Sequence, residues 1–383
     1  ISKPGVDVAL LLNPVMASTG KSETTFNKLS DESPIDYAQL TNLMACIKIH
    51  RGDTGPDRDI ILAAGKGTRM KSERAKVTLP LADKPMIQRV VETALSANCQ
   101  KIYIVVGYMK NNVISAVEDN EKIEFVEQEE QLGTGHAVMI TEPLFTNPDQ
   151  DVLILCGDVP LLSAQTLIRI YEKHKSSSAA CTVLTAFLDD PGKYGRILRD
   201  TSGKICGIKE YKDASEEQRK IKEWNTGIYC FQVKNLFNAL KQTSNHNQQS
   251  EYYLTDTIEI LYRQGKTISN VVLEDLMEVS GVNSQEELAA LEDIYVDRIR
   301  KKWLNNGVVI HNPHSVYIGD EVIIEPDVEI HQNTVIKGKS TLEKGCVIGP
   351  SCYLEHSTVS LDSVLQGHNI LVNAILPEHH ILD

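Results

Sequence analysis

The stretch LAAGKGTRMKSERAK, residues 62–76, holds the residue types that a polyphosphate needs. Gly65 and Gly67 let the backbone turn tightly and aim N–H groups at an anion, and Arg69 and Lys76 add positive charge beside it. Two other glycine loops fail to fit. A dinucleotide-binding loop needs a third glycine where Met70 stands and an acidic residue ending the second strand, which instead closes on Gly107 and Tyr108; a Walker A loop needs a GK[ST] ending that is missing. Taken alone, the GxG is a turn with basic residues facing water. Farther along, Asp158 ends the apolar run VLILCGD, where a carboxylate is costly to bring near a core, so it either caps the next turn or faces a ligand. The histidines, among them His136, His174 and the pair His379 and His380, have neither a nucleophile partner nor zinc spacing, and are read as structural or solvent-facing.

The elements that must position these residues follow from composition and period. The chain has 383 residues, room for two domains, with 42% apolar and 24% charged residues, which excludes wholesale disorder and rods. Its formal charge of −13 disfavours nucleic acid and anionic lipid as partners while leaving room for a local basic pocket. The eight cysteines form no CxxC and are expected to be reduced and mostly buried. No apolar run reaches membrane-spanning length and no convincing secretory signal precedes the first domain, so a cytoplasmic protein is expected.

Residues 1–57 read as an extension of unassigned role; the RGD triplet at Arg51 is explained by a turn into the next strand. Short aliphatic runs at 60–63, 102–107, 123–128, 152–156 and 180–186 are candidate strands covered on both faces. Between the first two, a helix opened by Pro85 carries Ile87, Val90, Val91, Ala94 and Leu95 on one stripe. Such alternation predicts an α/β domain, residues 58–300, with a mostly parallel sheet and ligands at the strands' carboxyl ends. In the last section, residues 301–383, aliphatic side chains recur every six positions from Ile318 through Ile324, Ile330, Ile336, Leu342 and Ile348 to Leu354. That period is the signature of hexapeptide β-helix coils. It amounts to little more than two coils, and the register breaks at Ser360 and Gln366, so the end is expected to be an irregular cap or a frayed coil.

Beyond the first loop, QLGTGHAV (131–138), GDVPLL (157–162), YGRI (194–197), NTGIY (225–229), EYYLTD (251–256) and GVN (281–283) follow in order. Together with the hexapeptide tail, this ordered set resembles the bacterial bifunctional N-acetylglucosamine-1-phosphate uridylyltransferase and glucosamine-1-phosphate acetyltransferase family, over about residues 59–360. The resemblance implies a Rossmann-like nucleotidyltransferase domain followed by a short left-handed parallel β-helix. It places a nucleotide pocket on Leu62, Ala63, Ala64 and Gly65 with Gln128, Gly133 and Thr134 around the uracil, and sugar contacts on Gly157, Gly195, Glu210 and Asn225. It makes Arg69 and Lys76 the catalytic cations and Asp158 and Asn283 the holders of Mg²⁺, an ion that prefers hard oxygen ligands. The implied partners are UTP, N-acetylglucosamine 1-phosphate and, through the β-helix, two further copies in a homotrimer.

Two residues depart from the family pattern. Ala75 stands where a proline commonly precedes the catalytic lysine, and Cys156 where a tyrosine often precedes the GD of the metal motif, which bears on the sugar side. The chain ends at Asp383, before the family's acetyl-CoA cleft positions, so acetyl transfer is expected to be absent. The rival readings are a glucose-1-phosphate uridylyl- or thymidylyltransferase, and a non-catalytic nucleotide-sensing relative, which would not need Arg69, Lys76, Asp158 and Asn283.

Overall fold

The computed structural model describes residues 55–383; Cys46, the RGD triplet and the rest of the segment 1–54 lie outside the described residues. The first layer is a sheet of β1 (Arg58–Leu62), β2 (Lys101–Val106), β3 (Ile123–Glu127), β4 (Asp151–Cys156), β5 (Cys181–Phe187), β6 (Arg196–Arg199), β7 (Ile205–Lys209), β8 (Glu223–Gln232) and β9 (Ile268–Leu273). Its order is β9-β5-β8-β4-β1-β2-β3, with β6 on β8 and β7 on β6. Strand β1 runs parallel to both β2 and β4, and β8 runs antiparallel to both β4 and β5. All five strands expected from the aliphatic runs are present.

Alternation along these strands divides two cores. Ile61, Ile104 and Leu155 point to one face, where the helices α1 (Met86–Ser96) and α3 (Ala164–Ser177) cover them with Ile87, Val90, Val91, Leu167 and Ile170. Ile60, Val105 and Ile154 point to the other, where α2 (Thr134–Met139), α4 (Val233–Leu240) and α5 (Asp256–Arg263) bring Val138, Leu236, Phe237, Ile258 and Leu261. The helix opened by Pro85 is α1, and four of its five expected stripe residues are fully buried while Leu95 is partly so.

The helix α6 (Gln285–Asn305) carries the chain across residue 300. A capping Ser284 accepts from the Glu287 N–H and two glutamates sit in the first turn, which favours a helix start there. Its first half buries Leu288 and Leu291 against Met70, Leu81 and Met86, and its last turns bury Ile299 and Trp303 in the solenoid core. Each such side chain contributes roughly 1.5–3 kcal/mol, so α6 clamps the two layers together. Arg89 of α1 adds a polar tie, donating to Leu81 and Ala82 carbonyls and to Asp320 of the solenoid at 2.5 Å.

The solenoid is a left-handed β-helix with three parallel sheets of five, four and four short strands, four coils deep. This corrects the expected extent. Ile336 stacks on Leu354, 18 residues on, but Leu342 stacks on Val359, 17 residues on, and Ile348 on Leu365 likewise. One residue is lost from a corner, so the inward position moves from Ser360 to Val359 and from Gln366 to Leu365 while the coil continues to Leu382. The six-residue period breaks; the stack does not. Among the described residues the seven cysteines are free, five of them buried, and no helix is long and apolar enough to cross a membrane.

Candidate active site

The carboxyl ends of β1, β3 and β4 open into a cavity of about 530 Å³ lined by Leu62, Ala63, Ala64, Gly65, Lys76, Gln128, Gly133, Thr134, Cys156 and Asp158. The chain leaving β1 is pinned on both sides: the Ala63 N–H donates to Val105 at 2.9 Å and the Gly157 N–H to Leu62 at 3.0 Å. Small side chains therefore leave backbone as the wall. The two loop glycines have different reasons. Gly67 has φ +56° and a Cβ there would lie 2.7 Å from Lys76 Cβ, whereas Gly65 has open space where a side chain would project. Only Gly67 is needed for the turn; Gly65 keeps the cavity wall low.

On the opposite wall Gln128 is buried, its Nε2 donating to the Gly133 carbonyl at 3.2 Å and lying 3.0 Å from His136 Nδ1. His136 thus fixes the amide, which agrees with a structural role. At Gly133 φ is +103° and a Cβ would lie 2.6 Å from the Tyr252 carbonyl oxygen. That contact exists because the EYYLTD segment zips onto the LGTGH turn: Tyr252 N–H to Leu132, Gly135 N–H to Tyr252, and Leu254 N–H to Thr134 Oγ1.

At the mouth, Lys76 Nζ is hydrogen-bonded to Asp158 Oδ2 and lies 3.4 Å from Asn283 Oδ1, while Arg69 Nη2 donates to the same Asn283 oxygen at 2.8 Å. The four residues come from the β1 loop, the β4 end and the approach to α6. Asn283 is held in turn by Glu287, which accepts from its backbone N–H at 2.7 Å. The capping alternative for Asp158 is not what is seen, since Ser163 caps the following helix α3. Arg69 and Asn283 also line a second cavity of about 730 Å³ with Tyr194 and Gly281.

The sugar-side residues divide. Gly157 abuts Leu62 and Ile87, where a Cβ would meet the Leu62 carbonyl oxygen at 3.1 Å. Gly195 and Asn225 are joined by an Asn225 N–H to Gly195 carbonyl bond of 2.9 Å, and Asn225 Nδ2 donates to the Tyr229 hydroxyl at 2.7 Å. Glu210 accepts from Thr255 Oγ1 at 3.1 Å and lines a separate cavity of about 260 Å³ with Asp213 and Asp256. Burial, with those acidic neighbours, holds its carboxyl above the usual range. Cys156 donates weakly to the Gly227 carbonyl at 3.4 Å, and burial beside Asp158 pushes its thiol up to about 12, so it is no nucleophile.

Sequence reasoning did not single out Lys66, Gln131 and Glu251, which also line the cavity at the strand ends. Nor did it weigh Arg196, whose buried guanidinium donates to Tyr194, Gly192 and Arg219 carbonyls and so ties down the loop before β6. The YGRI string contained that signal.

The oxygen pair of Asp158 and Asn283 suits Mg²⁺ on an observation internal to the site: a carboxylate and an amide carbonyl, both hard donors, converge on one cation, the Lys76 ammonium.

Comparison with known proteins shows the family. The nucleotidyl transferase family profile matches residues 58–307. Bifunctional protein GlmU of Geobacillus sp. (strain WCH70) is 44% identical over 316 residues, 81% of this chain and 68% of that protein. The GlmU of Carboxydothermus hydrogenoformans is 44% identical over 300 residues, 78% of this chain and 66% of the relative. The chain thus spans about two thirds of the length of these relatives. A crystal structure of UDP-glucose pyrophosphorylase complexed with UDP-glucose shares the fold, with a TM-score of 0.50 and 20% identity over 63% of this chain and 99% of its own. By profile, identity and fold, the chain belongs to the nucleotidyl transferase family and, within it, to the GlmU-like proteins.

Proposed function

We propose that this nucleotidyltransferase makes UDP-N-acetylglucosamine and pyrophosphate from UTP and N-acetylglucosamine 1-phosphate. The observation that carries the reading is the meeting of Arg69, Lys76, Asp158 and Asn283 at the mouth of a backbone-walled cavity. The uracil would lie between residues 62–65 and the Gln128–Gly133 wall; the two Gln128 side-chain bonds described above use its Nε2, leaving Oε1 as acceptor for a base N–H. An oxygen of the sugar phosphate attacks the α-phosphorus, the bond from α-phosphorus to the bridging oxygen breaks, and pyrophosphate leaves with that oxygen. No covalent enzyme intermediate is required. Positioning and charge neutralisation are then what the protein supplies.

Lys76 and Arg69 would face the charge that develops on the α-phosphoryl and on pyrophosphate. Each must exchange its present oxygen partner for phosphate, and both partners, Asp158 and Asn283, are the residues that would hold Mg²⁺. When bound, that ion would supply a Lewis acid neutralising phosphate oxygens. Arg196 keeps the Tyr194–Gly195 loop in place, and the buried Asn225 holds the wall beside Cys156 through Tyr229 and the Gly227 N–H.

The test is pyrophosphate release over a panel of sugar 1-phosphates and nucleoside triphosphates. The expected outcome is highest kcat/KM with UTP and N-acetylglucosamine 1-phosphate; preference for glucose 1-phosphate or dTTP would replace the substrate assignment, and no turnover with any pair would favour a sensing relative. Cys156 is the observation that keeps the glucose alternative in view. We also infer a homotrimer through the β-helix, by likeness to the family; light scattering near the 42.6 kDa mass of one chain would contradict it.

A further inference from the structure

On the outer face of the solenoid, three side chains that the sequence reading did not single out come together. His311 Nε2 lies 2.8 Å from Glu329 Oε1, and His331 Nε2 lies 3.2 Å from the same oxygen. The two imidazoles stack with centroids 4.6 Å apart at 24°. One ligand atom from each of the three lies within 4.8 Å of the others.

The coil geometry makes this cluster. Val309–Ile310 pairs in parallel with Glu329–Ile330, Ile310 opposite Ile330, so the residue after each, His311 and His331, stands one above the other. Backbone bonds fix both: the His311 N–H donates to Ile330 and the His331 N–H to Ile348, each at 2.9 Å. Glu329 and His331 flank the fully buried Ile330 and, two apart on a strand, face the same way. In the next coil Val347 lies opposite Glu329 and Gly349 follows Ile348, so the donor set ends after two rungs.

We propose that His311, Glu329 and His331 bind one divalent first-row transition ion of the zinc type, clipping the first two coils together and leaving a coordination position open. Two imidazoles and a carboxylate suit zinc and its neighbours, and not Mg²⁺, which takes oxygen. Bonds of about 2.0–2.1 Å in a tetrahedron set neighbouring donor atoms about 3.3 Å apart, close to the 2.8 and 3.2 Å already present between nitrogen and oxygen. Without an ion, two stacked rings compete for one carboxylate oxygen. A dication gives all three atoms one partner. None of the three lines the nucleotide cavity, so the ion stands apart from the transfer chemistry.

The test uses the full chain stripped of metal by chelation. Calorimetric titration with Zn²⁺ should show one site per chain, and Co²⁺ should give the visible absorption bands of a tetrahedral nitrogen and oxygen site; millimolar Mg²⁺ should displace neither. His311→Ala, His331→Ala and Glu329→Gln should each weaken binding at least ~10-fold and the double histidine variant should abolish it. All three residues are partly or fully exposed, so the variants should keep the metal-free melting curve and the rate of pyrophosphate release. Stoichiometric Zn²⁺ binding that survives in His311→Ala/His331→Ala would place the ion elsewhere, and wild-type chain that binds no Zn²⁺ below millimolar concentration would overturn the proposal outright.

Discussion

In the α/β layer Arg69 meets Asn283 across 214 residues of chain and Lys76 meets Asp158 across 82, whereas in the solenoid each inward side chain stacks on its counterpart only 17 to 20 residues away. The difference decides how much of each region a damaged residue can disturb. The mouth of the cavity is assembled from distant segments that share few atoms, so losing one side chain removes chemistry and leaves the scaffold. In the solenoid, the scaffold is the stack itself, and losing one rung side chain removes packing and leaves the distant chemistry.

The largest effect that would break this contrast is at the mouth. Lys76→Ala and Asp158→Asn should each lower turnover by at least ~10²-fold, the scale for one lost electrostatic contact in a transition state, with little change in the thermal unfolding curve. The pair is partly exposed, 15% and 25% by side chain, so its direct worth to folding is small. A large melting shift with intact turnover would reverse the assignment of the two regions.

The complementary change is in the stack. Ile348 is fully buried between Ile330 and Leu365, and Ile348→Ala should cost about 2–5 kcal/mol of solenoid stability while pyrophosphate release changes less than about twofold. The chain has two tryptophans, Trp224 beneath the sugar side and Trp303 in the solenoid core, so a Trp224→Phe background makes urea-induced fluorescence report on the solenoid. Loss of turnover in step with the Trp303 transition would show that α6 couples the regions more tightly than their separate cores imply.

What the sequence made legible follows the same division. Alternation and the six-residue period are local, so the five aliphatic strands, the α1 stripe and the solenoid could be read without coordinates. The fold of the last coils could not, because a single residue lost from a corner erases the period while leaving Val359 and Leu365 stacked. Gly65, Lys76 and Asp158 could be singled out by residue type, the other cavity residues only through the ordered motifs, and nothing in the spacing of Arg69 and Asn283 gives their 2.8 Å contact. The triad of His311, Glu329 and His331 escaped because its spacing belongs to the coil and not to any helix or hairpin pattern used for metal sites.

A smaller effect probes the wall between the nucleotide cavity and the sugar side. A tyrosine at position 156 would add a ring and a hydroxyl beside Gly227, where the Cys156 sulfur already lies 3.0 Å from the place a Gly227 Cβ would take. Its ring must therefore project into the cavity. Cys156→Tyr should raise the ratio of kcat/KM for N-acetylglucosamine 1-phosphate over glucose 1-phosphate several-fold, since a hydrogen-bonding wall rejects a sugar that leaves its polar group unpaired. An unmoved ratio would take Cys156 out of the sugar pocket.

The smallest expected effect concerns the loop that presents Lys76. Ala75 has φ −61° and ψ 132°, which a proline ring adopts without strain, and it immediately precedes the short turn that begins at Lys76. None of the hydrogen bonds described above uses the Ala75 N–H as donor. Proline here removes freedom from the unfolded chain, so Ala75→Pro should stabilise by about 0.4–1 kcal/mol, a rise of roughly 1–3 °C in Tm for a domain of this size. Because proline preserves the backbone angles from which Lys76 is presented, kcat should change less than twofold. Ala75 is almost fully buried, so the ring must fit among Val77 and its neighbours; a fall in Tm would mean that the site is too tightly packed for two further ring atoms. A marked gain in kcat with unchanged Tm would instead mean that the stiffness of this loop limits how Lys76 is presented to phosphate, and would move Ala75 from the scaffold side of the comparison to the chemical side.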